Sequence, residues 1–263
     1  MKIGISTASL FNRLNNEDAL PLLDRWGVPC AEVFLTSFSE YDPGFAKELA
    51  AGKGRVAVHS VHVLNTQFEP QLYAEHPRVK ADAFGWLEKA MVSARELGAH
   101  HYTFHGIARL KRTFRADLER LSRQTADIFA FCASYGVQLC YENVEWALYN
   151  DPGVFSALKR GCPGLGGVLD VKQARIAGHD WREYLAEMGE ALATVHVSDV
   201  DASGRMCLPG RGIFPFDELF SRLRDRNFAG AVLIENYSRD YTDLNELRAS
   251  FEYLAEKACS CGR

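Results

Sequence analysis

Acidic residues and histidines recur at the ends of short apolar segments along this chain. If those segments are strands of one barrel, their ends converge on a single mouth, where such folds place their chemistry. Burying several carboxylates and imidazoles together costs free energy unless they compensate one another, and a bound metal ion provides that compensation. The pattern therefore predicts a metal site at the mouth. The residues concerned are Glu32, His59, His62, His105, Glu142, Asp170, His196 and Glu235.

Four of these residues also have ordinary structural explanations. Glu142 could be a solvated loop carboxylate, and Asp170 could cap the helix that follows it. His196 could be a core histidine with a satisfied hydrogen bond, and Glu235 could pair with Arg239. All of these explanations would have to hold at once, so a shared site is favoured over their coincidence.

The sequence leaves the roles of the other four open. His62 and His105 could contact substrate, bind a second metal ion or fill the barrel mouth. His59 precedes His62 by three residues, so in a strand their side chains point to opposite faces, and we expect His59 to point away from the site. Glu32 could either form a salt bridge in the barrel interior or take part in the site.

Short β-rich segments alternate strictly with longer amphipathic patterns, which indicates parallel strands joined by crossover helices. We predict a single (β/α)₈ TIM barrel formed by residues 1–263 as one domain. An open doubly wound sheet is the alternative, but its usual Gly-rich turn is missing from the first segment, KIGISTASLF. The predicted strands are Lys2–Ser6, Ala31–Leu35, Val56–Val63, His101–His105, Gln138–Glu142, Gly167–Asp170, Thr194–Val197 and Ala231–Glu235. The predicted helices cover about residues 16–26, 43–53, 78–98, 114–135, 151–160, 180–190, 215–227 and 242–258.

Local signals predict several helix ends. Asn16 precedes EDALPLLDRW and can cap the first helix through its side-chain oxygen. Pro43 and Pro152 each follow an Asp, and we expect both at first helical positions, where the missing NH costs nothing. Gly98 and Gly136 each follow a helical pattern and are expected to end it in the left-handed conformation.

The composition bounds the class of protein. A net charge of −4 and a pI of about 6.1 give no sign of the basic face that nucleic-acid enzymes use, so we expect no nucleic-acid partner. No run of about 18 apolar residues and no export signal are present, so we expect a cytoplasmic protein without membrane contact. The seven scattered cysteines are expected to be reduced thiols, with no zinc site at Cys259 and Cys261.

The segments VFL, SVH, FHG, YEN, LD, HVSD, GRG and IE, in this order and spacing, resemble the xylose isomerase-like barrel superfamily over essentially the whole chain. That superfamily includes sugar-phosphate isomerases and epimerases, ketose 3-epimerases, inosose isomerase and dehydratase, and endonuclease IV. In its epimerase-like members, Glu, Asp, His and Glu of strands five to eight hold one metal ion. The resemblance maps these ligands onto Glu142, Asp170, His196 and Glu235. This hard, oxygen-rich set favours Mn²⁺ or Mg²⁺, with Co²⁺ or Zn²⁺ as alternatives.

The chain departs from the family pattern at two places. Gln173 stands where the family often has a second His after the strand-six Asp; it can hydrogen-bond a substrate hydroxyl but cannot ligate metal as His can. The loop DASGRMCLPGRG lacks the Asp-x-His pair that endonuclease IV uses after strand seven. A three-zinc cluster would therefore lack ligands, which disfavours a DNA-repair activity.

Two loop features could shape the substrate pocket. Backbone NH groups of segment 209–212, PGRG, with Arg205 or Arg211, could hold an anionic group, and a plain glycine turn is the alternative. Aromatic side chains in the loops after strands three and five could wall the pocket or contact a second copy in a homo-oligomer. These aromatic residues are Phe68, Tyr73, Trp146 and Tyr149.

The resemblance implies a metal-dependent isomerase or epimerase of a small polyhydroxy carbonyl compound, such as a sugar, sugar phosphate or inosose. The metal would stabilise an enediolate while Glu142 and Glu235 exchange protons beside the carbonyl. A dehydratase on the same scaffold is the first alternative, because it also begins by removing a proton beside a carbonyl. A catalytically silent sugar-binding barrel comes next, and an endonuclease last.

Overall fold

A computed structural model describes residues 1–109 and 116–260 of the chain. Ten strands lie within these ranges: β1 (Lys2–Ser6), β2 (Cys30–Leu35), β3 (Ala57–Val63), β4 (His101–Phe104), β5 (Gln138–Glu142), β6 (Gly166–Asp170), β7 (Leu192–Val197), β8 (Asp199–Val200), β9 (Met206–Cys207) and β10 (Ala231–Ile234). Eight of them form a closed parallel barrel in the order β1-β10-β7-β6-β5-β4-β3-β2, and β8 and β9 form a small antiparallel hairpin beside it. The barrel confirms the predicted fold.

Nine α-helices surround the barrel in the described ranges: α1 (Asn16–Arg25), α2 (Pro43–Gly52), α3 (Pro77–Leu97), α4 (Leu118–Ala133), α5 (Val154–Gly161), α6 (Val171–Ala177), α7 (Trp181–Met188), α8 (Phe216–Asp225) and α9 (Leu244–Ser260). Short 3₁₀ helices lie at Thr7–Leu10, Phe38–Tyr41, Thr66–Phe68, Pro70–Tyr73, Gly189–Ala191 and Ser238–Asp240. Parallel strands covered by helices are buried on both faces, which explains why every residue of β2 and β7 is buried. None of these helices combines the length and apolarity that crossing a membrane requires.

Several local expectations hold. Asp42 caps α2 by accepting a hydrogen bond from the NH of Gly44, and Pro43 occupies the first helical position. Gly98 and Gly136 follow α3 and α4 with φ angles of +73° and +77°, a conformation that glycine adopts without strain. The predicted strand boundaries agree with the structure to within one or two residues.

The helix predictions were wrong at three places. Asn15, not Asn16, precedes α1; the Asn16 side chain instead donates to the carbonyl oxygen of Phe34 at 2.8 Å. Pro152 lies outside α5, which begins at Val154. The seven-residue helix α6 was not predicted, because VKQARIA is too short to show an apolar period. Residues 114 and 115 of the predicted fourth helix lie outside the described residues.

The cysteines that the structure describes are free thiols. Cys259 is exposed, and Cys261, its companion in the sequence, lies outside the described residues. The buried thiols are Cys30, Cys132, Cys140 and Cys162, and Cys207 is half-buried.

Candidate metal and substrate site

The four residues that resemble the family's metal ligands meet at one end of the barrel. Glu142 and Asp170 end β5 and β6, His196 is the fifth residue of β7, and Glu235 directly follows β10. One potential ligand atom from each lies within 4.8 Å of the others. Because the barrel strands are parallel, their carboxyl ends all open on the same side, so residues far apart in sequence become neighbours here.

The contacts of His196 indicate that a cation fits between these side chains. Its Nδ1 lies 2.9 Å from Glu142 Oε1 and 2.8 Å from Glu235 Oε2, yet one ring nitrogen carries at most one proton. Glu235 Oε2 lies within ion-pair distance but not in a hydrogen-bonding direction, and Asp170 Oδ2 likewise has no hydrogen-bond partner among the described residues. Unpartnered carboxylate oxygens facing one imidazole nitrogen are what a divalent ion would compensate.

Glu32 supports His196 from inside the barrel. Glu32 Oε1 lies 3.1 Å from His196 Nε2, on the opposite side of the ring from Glu142. The fully buried Glu32 carboxylate also accepts hydrogen bonds from the hydroxyls of Ser60 at 2.8 Å and Thr103 at 2.6 Å. A carboxylate placed behind an imidazole ligand fixes the orientation and tautomer of that ring. Glu32 is thus an interior residue, as one of the two sequence interpretations expected, and its carboxylate also contacts a candidate ligand.

The carboxylates and imidazoles of this cluster shift one another's pKa values. Burial by itself lowers the pKa of His196, but the carboxylates of Glu235, Glu32 and Glu142 raise it well above the usual value. Burial raises the pKa of Glu142, and the imidazoles of His196 and His105 outweigh it and lower that pKa. Asp170 behaves differently: burial, together with neighbouring carboxylates, raises its pKa to about 6 despite the nearby Lys172.

Asp170 also caps a helix. Its Oδ1 accepts hydrogen bonds from the backbone NH groups of Lys172 at 2.7 Å and Gln173 at 2.9 Å, at the start of α6. The helix cap and the metal ligand were alternative interpretations of this residue, and the two oxygens of one carboxylate accommodate both. Asn143 links Asp170 to the neighbouring strand, because its side chain exchanges two hydrogen bonds with the Asp170 backbone.

A second group of potential ligands adjoins the first and shares Glu142 with it. His62, His105 and Glu142 can also converge on one ion, with His62 Nε2 and His105 Nε2 2.9 Å apart. His105 Nδ1 lies 3.4 Å from Glu69 Oε2, and its Nε2 lies 3.3 Å from Glu142 Oε2. Burial lowers the pKa of His105, but these two carboxylates together raise it to about 10.

Sequence reasoning missed two charged residues of this region. One is Lys172, whose ammonium pairs with Asp170 and Glu235, and the other is Glu69. Glu69 lies between two 3₁₀ helices after β3, is fully buried, and accepts hydrogen bonds from the NH groups of His105 and Gly106 at 2.9 and 3.0 Å. Gly106 has a φ of +72° and packs on the Tyr141 ring so closely that a side chain would clash. A lone Glu in the loop QFEPQ gives no sequence signal of this contact.

A cavity of about 270 Å³ adjoins the candidate ligands, of which Glu142 and Glu235 line it. Gln173 lines it, with its side-chain oxygen held by the backbone NH of Glu145 at 3.2 Å. Of the four loop aromatics singled out from the sequence, Trp146 lines the cavity, whereas the others are buried elsewhere. Among the residues that line it are the predicted contacts His62, His105 and Gln173, the ligands Glu142 and Glu235, and also Lys172, Phe11, Phe34, Asn236 and Tyr237.

The structure does not bring Arg205 and Arg211 to this cavity. The guanidinium of Arg205 is exposed and pairs with Asp201 at 3.3 Å, while Arg211 pairs with Glu246. A second observation argues against the anion site that was expected in segment 209–212. The carboxylate of Asp199 already accepts hydrogen bonds from the backbone NH groups of residues 210, 212 and 214, at distances of 2.8 to 3.0 Å.

His59 lies at the opposite, amino-terminal end of the barrel. Its Nε2 is 2.9 Å from Thr194 Oγ1, and its ring lies 4.4 Å from that of His101, centroid to centroid. It therefore has no contact with the candidate ligands among the described residues.

The chain belongs to the xylose isomerase-like TIM barrel family, whose profile matches residues 20–257. Among solved structures, it is similar to a D-tagatose 3-epimerase-like protein, with 18% identity, a TM-score of 0.81, and coverage of 100% of this chain and 98% of the other. It is also similar to D-psicose 3-epimerase with D-tagatose from Clostridium cellulolyticum H10, with 16% identity, a TM-score of 0.79, and 99% coverage of both chains. A third similar structure is the IOLI protein with a binding zinc atom, with 15% identity, a TM-score of 0.72, and coverage of 100% and 96%. At these identities the likeness shows the fold alone. No curated protein matches the sequence.

Proposed function

We propose that this chain is a metal-dependent isomerase or epimerase of a small, uncharged polyhydroxy ketone. The convergence of four ligand atoms within 4.8 Å, two of which belong to residues that line a cavity of about 270 Å³, is the observation that carries the proposal. Membership of the xylose isomerase-like family and the likeness in fold to sugar 3-epimerases support it.

Glu142, Asp170, His196 and Glu235 would hold one divalent ion, for which the three carboxylates favour Mn²⁺ or Mg²⁺. When bound, the ion supplies Lewis-acid stabilisation of the negative charge that develops on substrate oxygens. Glu142 and Glu235 line the cavity and are placed to remove and return the proton of a carbon beside the carbonyl. Glu32 keeps the His196 ring in position throughout.

The walls of the cavity suit a sugar. Trp146, Phe11, Phe34 and Tyr237 offer apolar ring surface to the CH faces of a carbohydrate and limit the entry of water. Gln173 can donate hydrogen bonds to hydroxyls through its amide nitrogen, since its oxygen is already engaged. The volume lies below the range of about 300–1,000 Å³ that drug-sized ligands occupy, which favours a molecule of monosaccharide size.

The charges around the cavity favour an uncharged substrate over a phosphorylated one. Phosphate recognition normally uses arginine or free backbone NH groups. Here Arg205 and Arg211 pair elsewhere, and the NH groups of Gly210 and Gly212 bind the Asp199 carboxylate. Lys172 lines the cavity, but its ammonium is already engaged by two carboxylates.

Solvent-deuterium exchange tests this proposal. Metal-loaded protein is incubated in D₂O with free ketoses, inososes and their phosphates, and NMR follows both deuterium uptake and product identity. We expect deuterium at the carbon beside the carbonyl, with an epimer or isomer formed from an unphosphorylated compound. The matched control is the Glu142→Gln, Asp170→Asn double variant, which should show no uptake. Loss of water from the substrate would instead establish a dehydratase, preference for phosphates would overturn the uncharged class, and metal occupancy without exchange would indicate a binding protein.

A further inference from the structure

Lys172 is a buried lysine that touches two of the four candidate metal ligands. Its side chain is 2% exposed, and its Nζ lies 3.6 Å from Asp170 Oδ2 and 3.4 Å from Glu235 Oε1. The ammonium also lies over the ring of Tyr237, 4.6 Å from the centroid. A lysine this deeply buried requires charge partners to remain in place, and these two carboxylates provide them.

The position of Lys172 in its helix makes this arrangement costly without those carboxylates. Lys172 is the second residue of α6, where the positive end of the helix dipole disfavours a cation. Its backbone NH is bonded to Asp170 Oδ1, so the helix cap and the ion pair use the two oxygens of the same carboxylate. Lys172 is therefore fixed to the ligand set at both its main chain and its side chain.

The ammonium and a metal ion would share the same oxygens. Asp170 Oδ2 is the oxygen that faces Lys172, and it is also the buried oxygen that lacks a hydrogen-bond partner and is available to a metal. Glu235 offers Oε1 to Lys172 and Oε2 to the His196 side of the cluster. A fixed positive charge at this distance compensates the carboxylates before a metal arrives and repels the metal when it does.

We propose that Lys172 is a positioning residue that acts as a built-in counter-cation for the metal site. It holds the carboxylates of Asp170 and Glu235 in their ligand positions in the metal-free chain, and it weakens metal binding so that the ion exchanges. It also keeps Glu235 Oε1 directed away from the ligand cluster. This inference rests on the proposed function insofar as that function includes the metal site.

The test compares Lys172→Met, which removes the charge at similar length, with Lys172→Arg, which retains it. Mn²⁺ affinity is measured by isothermal titration calorimetry, and melting temperatures are measured with Mn²⁺ and after chelation. We expect Lys172→Met to bind Mn²⁺ at least about tenfold more tightly than wild type. This is the size of effect that one nearby charge has on proton binding by a buried group. Its metal-free form should melt lower by about 3 °C or more, whereas its metal-bound form should melt near wild type.

Lys172→Arg should bind Mn²⁺ with an affinity within about threefold of wild type. The positive charge is retained, and only the shape of the side chain that carries it changes. Lys53→Met is the matched control, since Lys53 Nζ bonds to the carbonyl oxygen of Val56, a residue outside the candidate ligand set and the residues that line its cavity. If Lys172→Met does not fold without metal, Lys172→Gln provides the same comparison with a polar side chain. Weaker or unchanged Mn²⁺ binding in the uncharged variants would overturn the inference. Failure of the wild type itself to bind Mn²⁺ would instead overturn the metal site of the proposed function.

Discussion

Each end of the barrel carries a pair of histidines beside a cavity, yet the two ends differ in chemistry. At the mouth, His62 and His105 line a cavity of about 270 Å³, with their Nε2 atoms 2.9 Å apart. At the amino-terminal end, His59 and His101 pack 4.4 Å apart beside a larger cavity of about 670 Å³. Cavity size and histidine content therefore do not distinguish the candidate site from the other end.

The partners of the imidazoles make the difference. His105 faces the carboxylates of Glu69 and Glu142, and although burial lowers its pKa, these charges raise it to about 10. His59 faces the hydroxyl of Thr194. Its pKa is lowered to about 4, mainly by burial and to a smaller extent by the neighbouring imidazole of His101. Convergent carboxylates favour the charged form of His105, whereas His59, whose contacts include no carboxylate among the described residues, is kept neutral by burial.

Metal content gives the largest expected contrast between the two ends. Protein purified without chelator should contain about one divalent ion per chain, because four ligand atoms converge at the mouth. Replacing Glu142 with Gln and Asp170 with Asn together should reduce that content below about a tenth, since two of the charged ligands are lost. Elemental analysis by mass spectrometry measures this. The matched double variant His59→Gln, His101→Gln should keep full occupancy, and full occupancy in the mouth variant would remove the assignment of the ligands.

Turnover is the next contrast. Glu235→Gln should lower kcat by a factor on the order of 10² or more, because positioned acid–base groups contribute about that much. His59→Gln should keep kcat within about twofold, because it lies at the other end and contacts a hydroxyl. Rates are measured on the compound identified by deuterium exchange, with metal content determined for each variant. Normal turnover in Glu235→Gln would mean that another group moves the proton.

The strand-end residues could be predicted because β-rich apolar segments fix both the strand and the residue that ends it. LATVHV and GVLD place His196 and Asp170 at the mouth once a parallel barrel is inferred. The partners within the site could not be predicted in the same way. Glu69 reaches His105 only because its loop folds back over β4, and that path depends on tertiary contacts rather than on local pattern.

The contacts of charged loop residues could be predicted even less well, because the charge of a side chain does not indicate which partner it binds. Arg211 suggested an anion site, but Glu246 of α9 pairs with it, and Asp199 takes the backbone NH groups from eleven residues upstream in the chain. Lys172 was overlooked because α6 was not predicted, so the direction of its side chain could not be derived. Which partner each of these charged side chains binds depends on the groups that the fold brings close to it.

The residue behind each imidazole, a carboxylate for His196 and a hydroxyl for His59, gives a subtler contrast. Glu32→Gln should weaken Mn²⁺ binding by about 10- to 100-fold, because the orienting partner of a histidine ligand is worth about that much. Thr194→Val removes the corresponding partner of His59 and should leave Mn²⁺ affinity unchanged. Calorimetric titration of both variants measures the difference. Equal affinities in the two variants would show that Glu32 does not orient His196 for a metal.

The smallest expected effect concerns the pH dependence of stability at the amino-terminal end. The pKa of His59 is lowered to about 4 in the folded chain, against about 6.5 in an unfolded one. Between these values the unfolded chain binds a proton that the folded chain does not, so stability falls as pH decreases from about 6.5 to about 4. Above pH 6.5 both states are neutral at this position and His59 contributes no pH dependence. The free energy of unfolding lost through this group should be of the order of 1–3 kcal/mol, which does not exceed the free energy equivalent to its pKa shift.

Urea unfolding of the chelated protein at pH 7.5, 6 and 5 tests this. The free energy of unfolding should decline less steeply with falling pH for His59→Gln than for wild type. His76→Gln, which replaces an exposed histidine, should follow the wild-type slope. A decline in His59→Gln as steep as that of the wild type would mean that His59 is not held neutral, and the contrast between the two ends would then rest on metal binding and turnover.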